Sequence, residues 1–151
     1  MSGVIVDTCI WSLALRGKTP RDGEVTAELT SLIKENRAKI IGSIRQEILS
    51  GYSDWRSQSD VRSTANREAR LARYEKLRNK LRAFPNEQIM DTDYESAAEY
   101  SNICRRRGIQ GSHTDFLICA VAIRLKMQIY TSDKDFSYYS KHLPIILYGE
   151  N

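Results

Sequence analysis

The stretch QIYTSDKDF, residues 128 to 136, joins a short apolar run to a loop that carries two carboxylates, Asp133 and Asp135. The run QIYT is typical of a buried strand, and the apolar segment FLICAVAI at residues 116 to 123 precedes it with the character of a core helix. A helix that leads into a buried strand is typical of a parallel sheet with helical crossovers. The stretch therefore predicts an α/β fold in which acidic residues follow a strand.

Short apolar or β-branched runs elsewhere in the chain predict the rest of the sheet. The predicted strands are VIV at 4–6, KIIGS at 39–43, EQIM at 87–90, QIYT at 128–131 and PIILY at 144–148. Helical patterns lie between most of them, which predicts parallel pairing and helices on both faces of the sheet. The predicted fold is a three-layer α/β/α arrangement with a parallel sheet of about five strands, forming a single domain over residues 1–151.

Capping residues and glycines predict where the helices begin and end. Predicted starts are Asp22, Ser43, Thr92 and Ser112, and the last three have the spacing of a capping box with Gln46, Glu95 and Asp115. Predicted ends are Gly17, Gly51 and Gly108.

Composition narrows the class of protein. The chain has 151 residues, 41% of them hydrophobic, which is enough to bury the core of one domain. Its longest apolar run is far below the roughly 18 residues that cross a bilayer, and the first residues, MSGVIVDT, lack the basic segment of a secretory signal. Three cysteines without CxxC spacing argue against a disulfide framework or a thiolate metal site. We expect a cytosolic protein with no membrane segment.

The basic residues are concentrated in one part of the chain. The net charge is only +4, yet residues 61–82 hold eight basic residues against two acids. An extended Arg-rich helical stretch is predicted over residues 53–82, with apolar residues at helical spacing on the side away from most arginines. Those apolar residues are Leu71, Tyr74, Leu77, Leu81 and Phe84. The charge suits a polyanion such as nucleic acid, although a solvated helix face is the commoner explanation of a charge run.

Four carboxylates stand where strands give way to loops or helices: Asp7 after VIV, Glu47 after KIIGS, Asp133 after QIYTS, and Asp115 at the start of the apolar helix. Each alone is explained by a turn or a helix cap. In an α/β sheet, however, the carboxyl ends of parallel strands share one edge. Four ionised acids there would repel one another unless a cation joined them. Oxygen ligands without a His or Cys cluster favour Mg²⁺ or Mn²⁺, which act on phosphate groups.

Four stretches together resemble the motif blocks of PIN domains, and in particular of VapC-type toxins from toxin–antitoxin pairs. They are VIVDTCIW at 4–11, IRQEILSG at 44–51, HTDFLICAVA at 113–122 and TSDKDF at 131–136. The resemblance covers nearly the whole chain. It implies a Mg²⁺- or Mn²⁺-dependent ribonuclease, commonly a homodimer, that a cognate antitoxin holds inactive by lying over the active-site groove.

Carried onto this sequence, the resemblance implies a catalytic and metal-binding quartet of Asp7, Glu47, Asp115 and Asp133. Asp7 and Asp115 would bind the metal, and Glu47 and Asp133 would bind it directly or through water. The supporting residues are Thr8, Thr131 and Asp135, and for both threonines backbone bonding is an equally good explanation. The candidate contacts to RNA phosphates are Arg45, Arg67, Arg70 and Arg73. The triplet RRR at 105–107 is better explained as the solvated end of a helix.

Two other functions fit the sequence less well. A phosphatase of the haloacid dehalogenase class also has an Asp after its first strand, but it needs a second Asp two residues later, where this chain has Cys9. The alternative is a non-catalytic PIN-like domain that binds RNA or a partner protein. The presence of all four acids argues against that alternative.

Overall fold

The structure is a computed structural model that describes residues 2–16, 20–57 and 64–150. Strands and helices alternate along much of the chain. In order they are β1 (Val4–Val6), α1 (Thr8–Arg16), α2 (Pro20–Lys34), β2 (Ala38–Ile41), α3 (Gly42–Ser57), α4 (Thr64–Arg82), β3 (Asn86–Glu87), α5 (Asp91–Arg106), α6 (His113–Leu125), β4 (Gln128–Tyr130) and α7 (Asp135–Tyr139).

The described strands form one parallel sheet in the order β3-β2-β1-β4. Within it, Ile5 of β1 lies opposite Lys39 of β2 on one side and Ile129 of β4 on the other. The strand order changes direction at β1, because the chain moves outward to β2 and β3 and later returns to β4 on the opposite side. In such sheets, ligands bind beyond the carboxyl ends of the strands at this change of direction. The predicted α/β class and parallel pairing are confirmed.

The fifth predicted strand, PIILY, contributes only an isolated parallel bridge. Leu147 is bridged to Ile129, and two backbone bonds hold the segment: Ile129 N donates to Ile146 O at 2.9 Å, and Tyr148 N donates to Ile129 O at 2.8 Å. Pro144 has no N–H to donate, which disfavours a longer ladder at its start. The described sheet is therefore four-stranded, with this bridge beside β4.

The centre of the core is β1. All three of its residues are fully buried, and because successive strand residues point to opposite faces, both faces of the sheet are covered here. The apolar helix α6 is buried along most of its length from Phe116 to Ala122. Trp11 of α1 is buried as well: its indole N–H donates to Val6 O at 3.0 Å, and its ring meets the edge of Phe84 at 5.1 Å.

Two of the predicted helix boundaries are confirmed. Ser112 caps α6, because its hydroxyl oxygen accepts a hydrogen bond from Asp115 N at 3.1 Å. The helix α5 ends at Arg106, and Gly108 follows in the left-handed region with φ of 77°, where glycine carries no Cβ penalty.

The other boundaries differ from the prediction. The helix α2 begins at Pro20 rather than after Asp22, and α3 begins at Gly42 and continues through Gly51 to Ser57, so the predicted end at Gly51 is wrong. A glycine inside a helix costs only about 1 kcal/mol, so a single glycine does not by itself end a helix. The helix α5 begins one residue before Thr92, and the predicted end at Gly17 lies outside the described residues.

The Arg-rich stretch is helical where it is described, in the last part of α3 and in α4. Leu77 and Leu81 are buried and Tyr74 is half-buried, whereas Leu71 is exposed, so the packed side of α4 begins about one turn later than predicted. Residues 58–63 and the side chains of Arg67, Arg70 and Arg73 lie outside what the structure describes.

Helix length and character also bear on membrane insertion. Within the described ranges, no helix combines the length and the apolar character needed to cross a bilayer.

Candidate functional site

Asp7 lies at the carboxyl end of β1, where it is 6% exposed. Its Oδ1 accepts a hydrogen bond from Thr8 N at 2.7 Å, and its Oδ2 accepts one from the Thr131 hydroxyl at 2.8 Å. The backbone N–H of Asp7 donates to Tyr130 O at 2.9 Å. The Asp7 carboxylate is therefore fixed between the carboxyl ends of β1 and β4.

The loop after β4 is fixed against the start of α1 by Thr131 and Cys9. The Thr131 hydroxyl, which donates to Asp7, accepts from Asp133 N at 3.0 Å. Cys9 Sγ accepts from Ser132 N at 3.3 Å and lies 3.5 Å from Asp7 Oδ2. Thr131 thus accepts a backbone hydrogen bond and also orients the Asp7 carboxylate.

Asp115 lies in the first turn of α6 and is half-buried. Its Oδ2 accepts a hydrogen bond from the Tyr139 hydroxyl at 2.8 Å. Tyr139 belongs to α7, and its hydroxyl joins this short helix to α6. The sequence did not predict this tyrosine. The one signal for it was its spacing of three residues from Phe136, which places both rings on one helix face.

Glu47 lies near the start of α3 and is the most exposed of the quartet. Partial burial of its carboxyl group and the nearby charge of Asp7 raise its pKa, while a hydrogen bond from the Thr114 side chain opposes that rise. Thr114 was not predicted as a site residue, although it precedes Asp115 in the third motif block.

Electrostatic interactions link the four acids of the quartet. Burial is the largest cause that raises the pKa of Asp7 and of Asp115, and the negative charge of Asp133 raises both further. The charge of Asp7 also raises the pKa of Glu47 and of Asp115. The structure therefore brings together the acids that the sequence predicted to converge, at the edge where β1 and β4 end.

Asp135 lies closer to this group than the sequence suggested. Carboxylate oxygens from Asp115, Asp133 and Asp135 lie within 4.8 Å of one another. Asp133 Oδ1 also accepts a hydrogen bond from Asp135 N at 2.9 Å. The loop therefore presents two carboxylates beside Asp115, where only Asp133 was expected to have a leading role.

The donor set fits a hard divalent cation. It consists of carboxylate oxygens. The hydroxyl oxygen of Thr8, the residue after Asp7, is buried without a partner among the described residues. The ion pairs found in the described ranges join Arg37 to Glu35 and Arg124 to Asp93, so neither neutralises the quartet. Oxygen ligands with uncompensated negative charge are the environment that Mg²⁺ and Mn²⁺ prefer.

Of the predicted RNA-binding arginines, Arg45 is the one whose side chain the structure describes. Arg45 donates a guanidinium N–H to Leu81 O at 3.2 Å, at the end of α4, and its Nε is buried without a partner among the described residues. The triplet at 105–107 is exposed at the end of α5.

Residues 4–142 match the profile of the PIN domain family. The chain belongs to this family, which confirms the resemblance seen in the motifs. No curated protein matches the sequence.

Several solved structures have the same fold. FitAcB from Neisseria gonorrhoeae is 18% identical with a TM-score of 0.71, covering 97% of this chain and 96% of that chain. VapBC2 from Rickettsia felis, bound to a DNA fragment from its promoter, is 18% identical with a TM-score of 0.71 and 98% coverage of each chain. Mycobacterium tuberculosis VapC20, a sarcin–ricin loop cleaving toxin, is 20% identical with a TM-score of 0.64, covering 89% of this chain and 93% of that chain. At these identities the likeness shows a shared fold.

Proposed function

We propose that this protein is a Mg²⁺- or Mn²⁺-dependent endoribonuclease and the toxin of a type II toxin–antitoxin pair. The observation that carries the proposal is the group of acids where β1 and β4 end, in which Asp7, Glu47 and Asp115 all have raised pKa values. Such a group is costly to the fold unless a cation binds to it. Membership of the PIN domain family supports the same conclusion.

Within this proposal, Asp7 and Asp115 hold the cation, and Asp133 and Asp135 complete its surroundings. A bound divalent cation would polarise a phosphoryl oxygen and lower the pKa of water. Thr131 orients Asp7 through its hydroxyl, at 2.8 Å. Glu47 is exposed and has a raised pKa, which suits a general base that takes the proton of the attacking water. The water oxygen then bonds to phosphorus as the ester P–O bond breaks, and the leaving sugar oxygen takes up a proton from solvent.

The substrate and partners in the proposal come from proteins of the same fold. One of these structures is a sarcin–ricin loop cleaving toxin, and another is a toxin–antitoxin complex from Klebsiella pneumoniae with a TM-score of 0.58. From these we extend to this chain an RNA substrate and a cognate antitoxin. The homodimeric state in the proposal is what the resemblance to VapC-type toxins implies, and the cytoplasmic location is what the composition predicts.

The Arg-rich stretch supports the choice of RNA. Replacing Arg67, Arg70 and Arg73 by Gln removes three positive charges. The slope of RNA affinity against salt concentration, on logarithmic axes, should then become shallower by about 0.7 for each phosphate that is no longer neutralised. An unchanged slope would assign these arginines to a solvated helix face.

Cleavage of a labelled RNA pool tests the proposal directly. The protein should cut RNA in Mg²⁺ or Mn²⁺, stop when EDTA is added, and lose activity in Asp115→Asn. Asp91→Asn, which changes an exposed acid of α5, is the matched control and should cut at the wild-type rate. Cleavage by Asp115→Asn at that rate would contradict the site. Absence of cleavage together with RNA or partner binding would favour the non-catalytic alternative.

A further inference from the structure

Tyr139 is a completely buried residue whose hydroxyl reaches the acidic site. Its ring packs against Phe116, with centroids 5.0 Å apart, and against the edge of Phe136 at 5.2 Å. The hydroxyl donates to Asp115 Oδ2 at 2.8 Å. The adjacent Tyr138 is 50% exposed, so the two neighbouring tyrosines of α7 have different environments and only Tyr139 touches the site.

Gly111, in the loop before α6, packs closely against the Tyr139 hydroxyl. A Cβ atom added at Gly111 would collide with the hydroxyl oxygen and would lie 3.0 Å from Phe116 Cε2. The absence of a side chain at Gly111 therefore leaves the space that the hydroxyl occupies. Two packed rings and the loop backbone together fix the hydroxyl in one position.

This position joins two segments that carry acids. Tyr139 belongs to α7, which begins at Asp135 and closely follows Asp133, whereas Asp115 belongs to α6. Oxygens of these three acids lie within 4.8 Å of one another. The hydrogen bond between the phenol and Asp115 is a direct side-chain link between the two segments, so it fixes both the orientation of the Asp115 carboxylate and its spacing from the other two acids.

We infer that Tyr139 is a positioning residue for the cation site. It acts through Asp115 and does not itself touch the cation or the substrate. The inference rests on the proposed function, because it requires that these acids hold a divalent cation. Hydrogen-bond partners that orient a ligating side chain typically affect metal affinity by about 10- to 100-fold when they are removed. A carboxylate without such a partner would have to be ordered on binding, at a cost in affinity.

The test measures Mn²⁺ binding by thermal shift, on the full chain without RNA. Tyr139→Phe removes the hydroxyl but keeps the packed ring, and we expect its half-saturating Mn²⁺ concentration to rise about tenfold or more. Tyr138→Phe removes an exposed hydroxyl from the same helix and should bind Mn²⁺ as the wild type does. Gly111→Ala adds a methyl group where the hydroxyl lies, and it should weaken Mn²⁺ binding in the same direction.

If Tyr139 had a purely structural role, its substitution would lower the melting temperature without metal and leave the half-saturating Mn²⁺ concentration unchanged. That result in Tyr139→Phe overturns the inference, and if this variant does not fold, the same result in Gly111→Ala overturns it. A wild-type protein that shows no Mn²⁺ stabilisation overturns the proposed metal-dependent function itself, and this inference with it. If the wild type binds Mn²⁺ and both variants bind it with the same affinity, only the role of Tyr139 is refuted.

Discussion

Asp93 and Asp7 are both buried aspartates, but only Asp93 has a cationic partner among the described residues. Asp93 is 2% exposed and accepts hydrogen bonds from Arg124 at 2.8 and 2.9 Å and from Met90 N at 2.8 Å. Burial alone would raise the pKa of Asp93, yet these bonds and the charge of Arg124 lower it. Asp7 has neutral donors and faces other acids, so burial raises its pKa. Within the described ranges, the chain thus neutralises the acid that holds α5 in place and leaves the site acids without a counter-charge.

The first and largest predicted effect concerns catalysis. Asp7→Asn should lower the rate of RNA cleavage by about a thousandfold, because an aligned cation supplies several kcal/mol to phosphoryl transfer. Its stability should stay the same or increase slightly, since a buried charge is removed. Single-turnover cleavage and urea unfolding measure the two quantities. Asp93→Asn should cleave RNA normally under conditions in which it remains folded. Normal activity in Asp7→Asn would refute the proposed difference between a functional Asp7 and a structural Asp93.

The second predicted effect concerns stability and the Asp93 variant. Asp93→Asn should lower the free energy of unfolding by about 2–3 kcal/mol, because it weakens the hydrogen bonds that the buried carboxylate accepts from Met90 N and from the more exposed Arg124 side chain. Urea unfolding measures the loss, and Asp91→Asn, an exposed acid of the same helix, is the control. Equal stability of the two variants would show that the Asp93–Arg124 pair contributes nothing.

The third effect is stabilisation by metal. A cation present at about 100 times its dissociation constant should raise the free energy of unfolding by about 2.7 kcal/mol, because it binds the folded state. The wild type and Asp93→Asn should show this increase, and Asp7→Asn should show little of it. Thermal unfolding in Mn²⁺ and in EDTA gives the comparison. A similar increase in all three proteins would place the metal elsewhere.

The smallest effect is on pH dependence in metal-free buffer. The raised pKa values of Asp7, Glu47 and Asp115 mean that these acids cost stability above their folded pKa values. That cost is removed as the pH falls towards their ordinary values of 3.8 and 4.5. Asp93 has the opposite effect on stability. Its lowered pKa stabilises the fold fully above pH 3.8, and this stabilisation is lost as the pH falls below that value.

Free energies of unfolding measured between about pH 4 and 8 test this prediction, because the site acids should change stability within that interval. Stability should fall as the pH rises through the folded pKa values of the site acids, and Asp7→Asn should flatten this dependence. An identical pH dependence in the variant would show that Asp7 does not titrate differently in the folded protein.

Much of the fold was predictable because its signals are local. The run VIV and the apolar helix α6 have compositions that suit full burial, and β1 and α6 are the centre of the core. The predicted strand PIILY was wrong as a full strand, because whether an apolar segment pairs depends on partners distant in sequence. It makes a single bridge to Ile129.

The placement of the candidate site's acids was predictable where a residue follows a strand, as Asp7 and Asp133 do, or lies in the first turn of a helix, as Asp115 does. It was not predictable where a hydrogen bond joins distant segments. Tyr139 meets Asp115 across 24 positions of sequence, and its sequence neighbourhood suggests only a packed aromatic ring. The closeness of Asp135 to Asp115 likewise depends on how the loop after β4 folds back.

The packing of Gly111 against Tyr139 also affects how freely this position can vary. Gly111 is exposed and has an ordinary backbone conformation, features that usually mark a position tolerant of substitution. The space above it is nevertheless filled by a hydroxyl. In a library of all single substitutions selected for function, Gly111 should therefore behave like a core position, and solvent exposure would be a misleading guide to its tolerance.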